Sequence, residues 1–301
     1  MAILVPPIKC QGIKTKLVPL ILRTIERDEE GLWIEPFLGS GVVALNVAPK
    51  RALLADANPH VVAFYQAIRD GRIDALGTRT FLEHEGYILS QRGKDYYYEV
   101  RERFNASHDP LDFLFLNRSC FNGIIRFNKK GGFNVPFGHK PRRFAPAYVT
   151  KIVNQVDRFR KVAVESDLVF MHQSFECTIA QAGPCDFIYC DPPYVGRHVD
   201  YYDSWGQDQE VLLHDSLLSS GARFLLSTWH SNQHRHNEFV DTLWEPYHIT
   251  LQPHFYHVGA KETNRKPMLE AVVTNYSPSI PRVERPSDVP SRQRELPLTR
   301  L

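Results

Sequence analysis

Apolar residues are distributed along this chain in two ways, as short unbroken runs and as longer stretches where they recur every three or four positions. The runs are Leu32–Phe37, Ala52–Ala55, Leu168–Met171, Phe187–Cys190, Arg223–Ser227, His248–Leu251 and Leu269–Thr274. Turn formers bound them, which predicts buried strands. Between them lie helical patterns: one leading from Leu17 to about Arg27, one from Pro59 to Gly71, and polar, amphipathic helices from Ile73 to Ser107. Further helices start at Pro110 and span Phe144 to Arg160 and Gln209 to Leu218. Asn58 before Pro59 and Asp109 before Pro110 are N-caps followed by the one helical position that tolerates proline. Tyr96, Tyr97, Tyr98, Val100 and Phe104 read mostly as core. Strand alternating with helix predicts an α/β fold with a mainly parallel sheet.

Composition narrows the setting. At 301 residues, 43% hydrophobic and 23% charged, the chain is an ordinary globular protein of one or two domains. It has no apolar run of membrane-spanning length and no signal-peptide pattern, so a cytoplasmic protein without membrane contact is expected. Cys10, Cys120, Cys177, Cys185 and Cys190 form no zinc-like spacing and read as reduced thiols, with no metal expected. From Pro278 on, five prolines and five arginines with almost no aromatic residues predict a disordered tail.

The net charge of +2 conceals a local asymmetry. Between Asn117 and Lys151 lie eight basic residues, Arg118, Arg126, Lys129, Lys130, Lys140, Arg142, Arg143 and Lys151, and no acid. Such a stretch is a candidate phosphate-facing surface. Within it, Gly123–Phe127 and Phe133–Phe137 flank a glycine-containing loop and read as a β-hairpin, a ribbon that fits the DNA major groove. The alternative is a basic hairpin that engages nothing.

Three stretches carry chemistry. Leu38-Gly39-Ser40-Gly41-Val42-Val43-Ala44 follows a strand and opens a helix, so its backbone can approach a ligand beside unpaired N–H groups. Asp56 ends the next strand, where a carboxylate accepts from two ribose hydroxyls. NAD enzymes and S-adenosylmethionine enzymes both use that geometry. Asp191-Pro192-Pro193-Tyr194 ends the run Phe187–Cys190. Its prolines lack N–H donors, so a carboxylate, free carbonyls and an aromatic face are presented together, as suits the amino group of a flipped base. An ordinary proline turn is the bland alternative. The lysines of the first segment, Lys9, Lys14 and Lys16, suit a carboxylate or phosphate, or simply a solvated edge.

Taken together, these motifs resemble amino-methyltransferases that use S-adenosylmethionine, with the cofactor motif first and the catalytic motif last. Asn117-Arg118, Phe121-Asn122-Gly123, Arg126, Asn128 and Gly132-Phe133-Asn134-Val135-Pro136-Phe137-Gly138 look like the target-recognition hairpin of Dam-like DNA adenine-N6 methyltransferases. The resemblance covers most of residues 6 to 277. It implies cofactor roles for Lys14, Glu35, Phe37, Gly39, Gly41, Asp56, Phe175 and Asp191, and an active site at Asp191, Pro192 and Tyr194. DNA contacts are implied at Lys9, Asn122, Arg126 and Pro136, while Lys129, Lys130, Arg142 and Arg143 are read as phosphate contacts.

The resemblance implies a Rossmann-like methyltransferase sheet (residues 1–70 and 150–278), an inserted, mainly helical target-recognition domain with a β-hairpin (71–149), and a tail from 279 to 301. It implies methylation of a flipped adenine in double-stranded DNA, in a short palindrome such as GATC. A cognate restriction endonuclease, genome marking and a viral setting all suit such an enzyme, and the sequence leaves the oligomeric state open. Cytosine-N4 methylation, for which the family usually shows Ser before Pro-Pro, RNA or protein amide methylation, and non-catalytic DNA binding are the competing readings. The family usually has Lys-Trp-Ala-Gly-Gly-Lys near its start, where this chain has Lys9-Cys10-Gln11-Gly12-Ile13-Lys14.

Overall fold

All seven apolar runs are strands of one sheet. The computed structural model describes residues 2–194, 205–232, 235–255 and 267–279. The sequence reads as a polar, aromatic loop from Arg197 to Trp205 and a basic connection from Gly259 to Lys266; both, apart from Trp205 itself, lie outside the described residues, as does the tail beyond Ser279.

The strands are β1 (Trp33–Glu35), β2 (Arg51–Asp56), β3 (Asp167–His172), β4 (Phe187–Cys190), β5 (Arg223–Ser231), β6 (His248–Phe255) and β7 (Pro267–Thr274). Their order is β3-β2-β1-β4-β5-β7-β6. The first five are parallel, and β7 runs antiparallel to both of its neighbours. β1 and β4 are buried along their whole length, which explains why their sequences read as continuous apolar runs rather than alternating ones.

Alternation persists in three dimensions. Trp33, Leu54, Tyr189 and Leu225 point into one core, while Ile34, Leu53, Ile188 and Leu226 point into a second on the opposite face. Helices α1 (Val18–Thr24) through α7 cover the first face: α2 (Val42–Val47), α3 (Pro59–Arg69), α4 (Ala75–Arg92), α5 (Lys94–Ser107), α6 (Pro110–Ser119) and α7 (Pro146–Glu165). Helices α8 (Phe175–Ile179) and α9 (Gln207–Ser220) lie over the second, and α10 (Glu238–Asp241) follows β5. Both predicted caps form: Asn58 Oδ1 accepts from the His60 amide at 3.0 Å, and Asp109 Oδ1 from the Leu111 amide at 2.8 Å. Residues of α4, α5 and α6 share the first core with the sheet, so Leu82, Tyr97, Phe115 and Leu54 belong to one apolar cluster.

The hairpin expected in the basic stretch forms only in part. Instead of two strands, the segment makes isolated antiparallel bridges, Phe127 to Phe133 and Cys120 to Phe137. Around the first bridge the Asn128 amide donates to the Gly132 carbonyl at 2.9 Å and the Asn134 amide to the Arg126 carbonyl at 3.1 Å, while other backbone groups of the segment pair with the helical layer. Tyr97 donates to the Val135 carbonyl at 2.8 Å, and Asn105 Oδ1 accepts from the Phe133 amide at 2.8 Å. Phe127, Phe133, Val135 and Phe137 are buried against those helices. Burial of alternate residues is kept, and the strand ladder only in part.

Candidate functional site

Parallel strands bring their carboxyl ends to one edge of the sheet, and the chain order reverses between β1 and β4, where open α/β sheets form a crevice. A cavity of about 420 Å³ lies there. Of the residues expected to serve a cofactor, Lys14, Glu35, Phe37, Gly39, Asp56, Phe175 and Asp191 line it, joined by Pro192 and Tyr194. Gly41 does not line it. Its role is the turn itself, with φ 68° and its amide donating to the Leu38 carbonyl at 2.8 Å. Cys10, in place of the family's usual tryptophan, also lines the cavity.

Asp56 fastens the glycine turn. One carboxylate oxygen accepts from the Gly39 amide at 2.7 Å and the other from the Asn58 amide at 2.8 Å, joining the turn after β1 to the start of α3. Glu35, at the end of β1, is 1% exposed and accepts from the Trp33 indole at 2.8 Å. Burial pushes its carboxyl up to about 8, against the pull of that hydrogen bond, and the nearby Asp191 charge adds to the rise. An acid in that state is mostly protonated at neutral pH. A cation placed beside it would favour its ionised form.

At the end of β4, Asp191 meets Lys14 Nζ at 2.6 Å, and Ser227 on β5 donates to the same carboxylate oxygen at 3.1 Å. Burial raises Asp191 above the ordinary carboxylate range, and the Lys14 ammonium pulls it back. The same ammonium lies 4.8 Å from the centre of the Tyr194 ring. Tyr194 in turn donates its hydroxyl to Glu270 on β7 at 2.6 Å. The ring is therefore fixed at its far end. Beside this cluster, Phe37 stacks on Phe175 with centroids 5.4 Å apart, and Trp205 meets Phe37 edge-on at 5.5 Å.

Three of these residues escaped the sequence reading. Glu270 left a signal, since an acid inside the apolar run Leu269–Thr274 is costly unless it finds a partner. Ser227 and Trp205 left none.

The residues expected on DNA separate into two groups. Asn122, Arg126, Lys129, Lys130, Pro136 and Arg142 are exposed. Arg126 is held across its loop by Asn134, donating to the side-chain oxygen at 2.7 Å and to the carbonyl at 3.3 Å. Lys9 and Arg143 are half-buried. Asn117 clasps the Lys9 backbone from both sides, at 2.8 and 2.9 Å, and burial lowers the Lys9 pKa, with Arg143 and Arg118 adding to the effect. Arg143 donates to the Arg118 carbonyl at 2.9 Å and to the Tyr148 hydroxyl at 2.6 Å. Arg118, 4% exposed, donates to the Pro7 carbonyl and to Gln155. That arginine serves the fold.

Away from the cavity, the ligand atoms of His230, His236 and Asp241 lie within 4.8 Å of one another, a grouping that their spacing in sequence did not suggest. Among the described residues, no helix is long and apolar enough to cross a membrane.

Comparison with known proteins agrees with this geometry. Residues 11–258 match the model of a family described as D12 class N6 adenine-specific DNA methyltransferase. The DNA adenine methylase of Vibrio cholerae is 36% identical over 194 residues, covering 62% of this chain and 64% of that protein. Its namesake in Haemophilus influenzae is 35% identical over 197 residues, covering 63% of each. The Type II methyltransferase M.FokI of Planomicrobium okeanokoites is 28% identical over 281 residues, covering 90% of this chain and 43% of that protein. The chain thus spans less than two thirds of the length of each of these relatives.

Glu35 gives a pH signature. Its carboxyl has a folded-state pKa of about 8, raised by burial from an ordinary value of 4.5, so between those values the unfolded chain binds fewer protons than the folded one. Its contribution to stability is therefore complete at low pH and is lost as pH rises through about 8. Glu35→Gln, which stays neutral, should flatten that decline. Urea midpoints measured between about pH 5 and about pH 9 should fall more steeply for the parent chain than for the variant. Identical slopes would show that Glu35 ionises in the ordinary carboxylate range.

Proposed function

This chain belongs to the D12 class N6 adenine-specific DNA methyltransferases, and we propose that it moves a methyl group from S-adenosylmethionine to N6 of an adenine flipped out of duplex DNA. The observation that carries this reading is the meeting of Asp191, Lys14 and Tyr194 at the rim of a cavity built on a glycine turn.

The cavity suits the cofactor. Its volume of about 420 Å³ falls within the range of small-molecule sites. Phe37, Phe175 and Trp205 offer faces and edges for a planar ring, Asp56 offers oxygens for ribose hydroxyls, and Glu35 lies ready for a cationic group. S-adenosylmethionine supplies an electrophilic methyl on a sulfonium that leaves readily. Everything else falls to the chain.

Asp191 and the Pro192 carbonyl accept hydrogen bonds from the two amino hydrogens of the target and favour a tetrahedral nitrogen, whose lone pair is otherwise delocalised into the ring. As the methyl bonds to that nitrogen the C–S bond breaks, and the methylated amine then gives up one proton. The Lys14 ion pair opposes the effect of burial on this carboxylate. Tyr194, held by Glu270, presents a fixed face for stacking. Catalysis is by positioning and electrostatics, without a covalent intermediate. Residues 71–149 form the target-reading part of the enzyme, with Lys9, Asn122, Arg126 and Pro136 towards bases and Lys129, Lys130 and Arg142 towards phosphates. A short palindrome such as GATC is the site we favour. A cognate restriction endonuclease in the same system fits the likeness to a Type II methyltransferase.

Asp191→Ala tests the catalytic assignment. Transfer from labelled S-adenosylmethionine to duplex DNA should be abolished while DNA affinity, which comes mainly from phosphate contacts, stays close to that of the parent chain. Turnover above a few per cent of the parent rate would remove Asp191 from that role.

Arg126 and Lys129 should fail differently. An arginine bidentate to guanine O6 and N7 is worth about 1–3 kcal/mol of discrimination, whereas a lysine on phosphate carries none. Arg126→Ala should therefore raise methylation of near-cognate sites relative to the cognate one, and Lys129→Ala should weaken all sites alike and flatten the salt dependence. Equal loss on every site for Arg126→Ala would make it another phosphate contact.

A further inference from the structure

Glu210 is 1% exposed, lies in the first turn of α9, and faces two tryptophans. Trp205 Nε1 donates to one carboxylate oxygen at 2.6 Å, and Trp244 Nε1 donates to the other at 2.9 Å. The two indoles have different surroundings. Trp244 is fully buried, packed edge-on against Phe224 and His214, and is held in place by the second core. Trp205 is half-buried and forms part of the cavity wall, with its ring 5.5 Å from Phe37 and 5.4 Å from Phe175.

We propose that Glu210 is a positioning residue for the cofactor: it ties the cavity indole of Trp205 to the immobile indole of Trp244 and so fixes the third aromatic wall of the site. An indole N–H can only donate, so holding two of them needs a group that accepts at both ends. A carboxylate does this. A glutamine would turn its NH₂ towards one of the indoles, and a leucine would leave both unmatched in the interior. Burial raises the Glu210 carboxyl, and the two indole N–H groups, with the partial positive charge of the first α9 amides, oppose that rise. With Trp205 held, Phe37, Phe175 and Trp205 keep one arrangement around a planar heterocycle, and less ordering remains to be done on binding. This inference rests on the reading of the cavity as the S-adenosylmethionine site.

The test uses the full chain with Glu210→Gln, Trp205→Phe and the double variant. Trp205→Phe keeps an aromatic ring and removes the N–H that Glu210 accepts. Binding of S-adenosylhomocysteine, the unreactive demethylated product, is measured by calorimetry, with duplex DNA affinity at fixed salt as the control. Each single variant should weaken binding by roughly tenfold, the scale of one charge-assisted hydrogen bond. The double variant should be no weaker than either single one, because Glu210 acts through the Trp205 N–H. The KM for S-adenosylmethionine should rise while kcat at saturation changes by less than about twofold. DNA affinity should not move.

A Glu210→Gln loss that recurs in full in the Trp205→Phe background would overturn the proposal, since Glu210 would then act through Trp244 and the fold. Parent-like binding by Trp205→Phe would overturn it even if Glu210→Gln failed to fold. A folded parent chain that binds no S-adenosylhomocysteine would instead overturn the functional reading beneath it.

Discussion

Withdrawing the Asp191 carboxylate and the Lys14 ammonium from water together is the constraint on which the site depends. Lys14 is 5% exposed and Asp191 23%, at 2.6 Å separation. An isolated buried charge is strongly unfavourable, and a buried pair holds only with good geometry and further hydrogen bonds. Those bonds draw in distant parts of the chain. Ser227 reaches Asp191 from β5, and Tyr189, beneath it on β4, hydrogen-bonds Ser227 at 3.0 Å. Lys14 comes from the segment before α1, and its amine also reaches the Gly12 carbonyl at 3.3 Å. The N-terminal loop, β4 and β5 are thereby fixed relative to one another. The same pair places the Lys14 ammonium over the Tyr194 face.

Much of this was legible in the sequence because the parallel strands are buried on both faces. Phe187–Cys190 reads as an apolar run since Phe187 and Tyr189 fill one core and Ile188 and Cys190 the other, and the chemistry stands at its end. The glycine turn and Asp56 were legible for a related reason, as both follow directly from strand ends. Glu270 was harder to find, because it lies 76 residues from Tyr194 and arrives on an antiparallel strand whose register no local pattern gives. Trp205 lies outside every apolar run and helical pattern of the chain. Its partners in the wall, Phe37 and Phe175, come from the loop after β1 and from the start of α8, so neighbours in sequence offered no hint.

The basic stretch shows what counting charges cannot separate. Arg118 and Arg143 contribute to the same acid-free run as Lys129 and Arg142, yet their guanidiniums turn inward onto carbonyls and the Tyr148 ring. Lys129 and Arg142 face solvent. The expected hairpin is met only in part. Phe127, Phe133, Val135 and Phe137 are buried and a short antiparallel pairing joins Phe127 to Phe133, while Tyr97 and Asn105 on α5 bind the Val135 carbonyl and the Phe133 amide. The segment packs its aromatic residues against the helices and leaves Asn122 and Arg126 on its outer surface.

The central claim is that this site methylates adenine rather than merely binding DNA. The most direct measurement is to express the full chain in a methylation-free host and read modified bases across the genome by single-molecule sequencing. N6-methyladenine at one short palindrome, GATC foremost, is the predicted result. N4-methylcytosine, or unmodified DNA from cells that contain the folded protein, would contradict it.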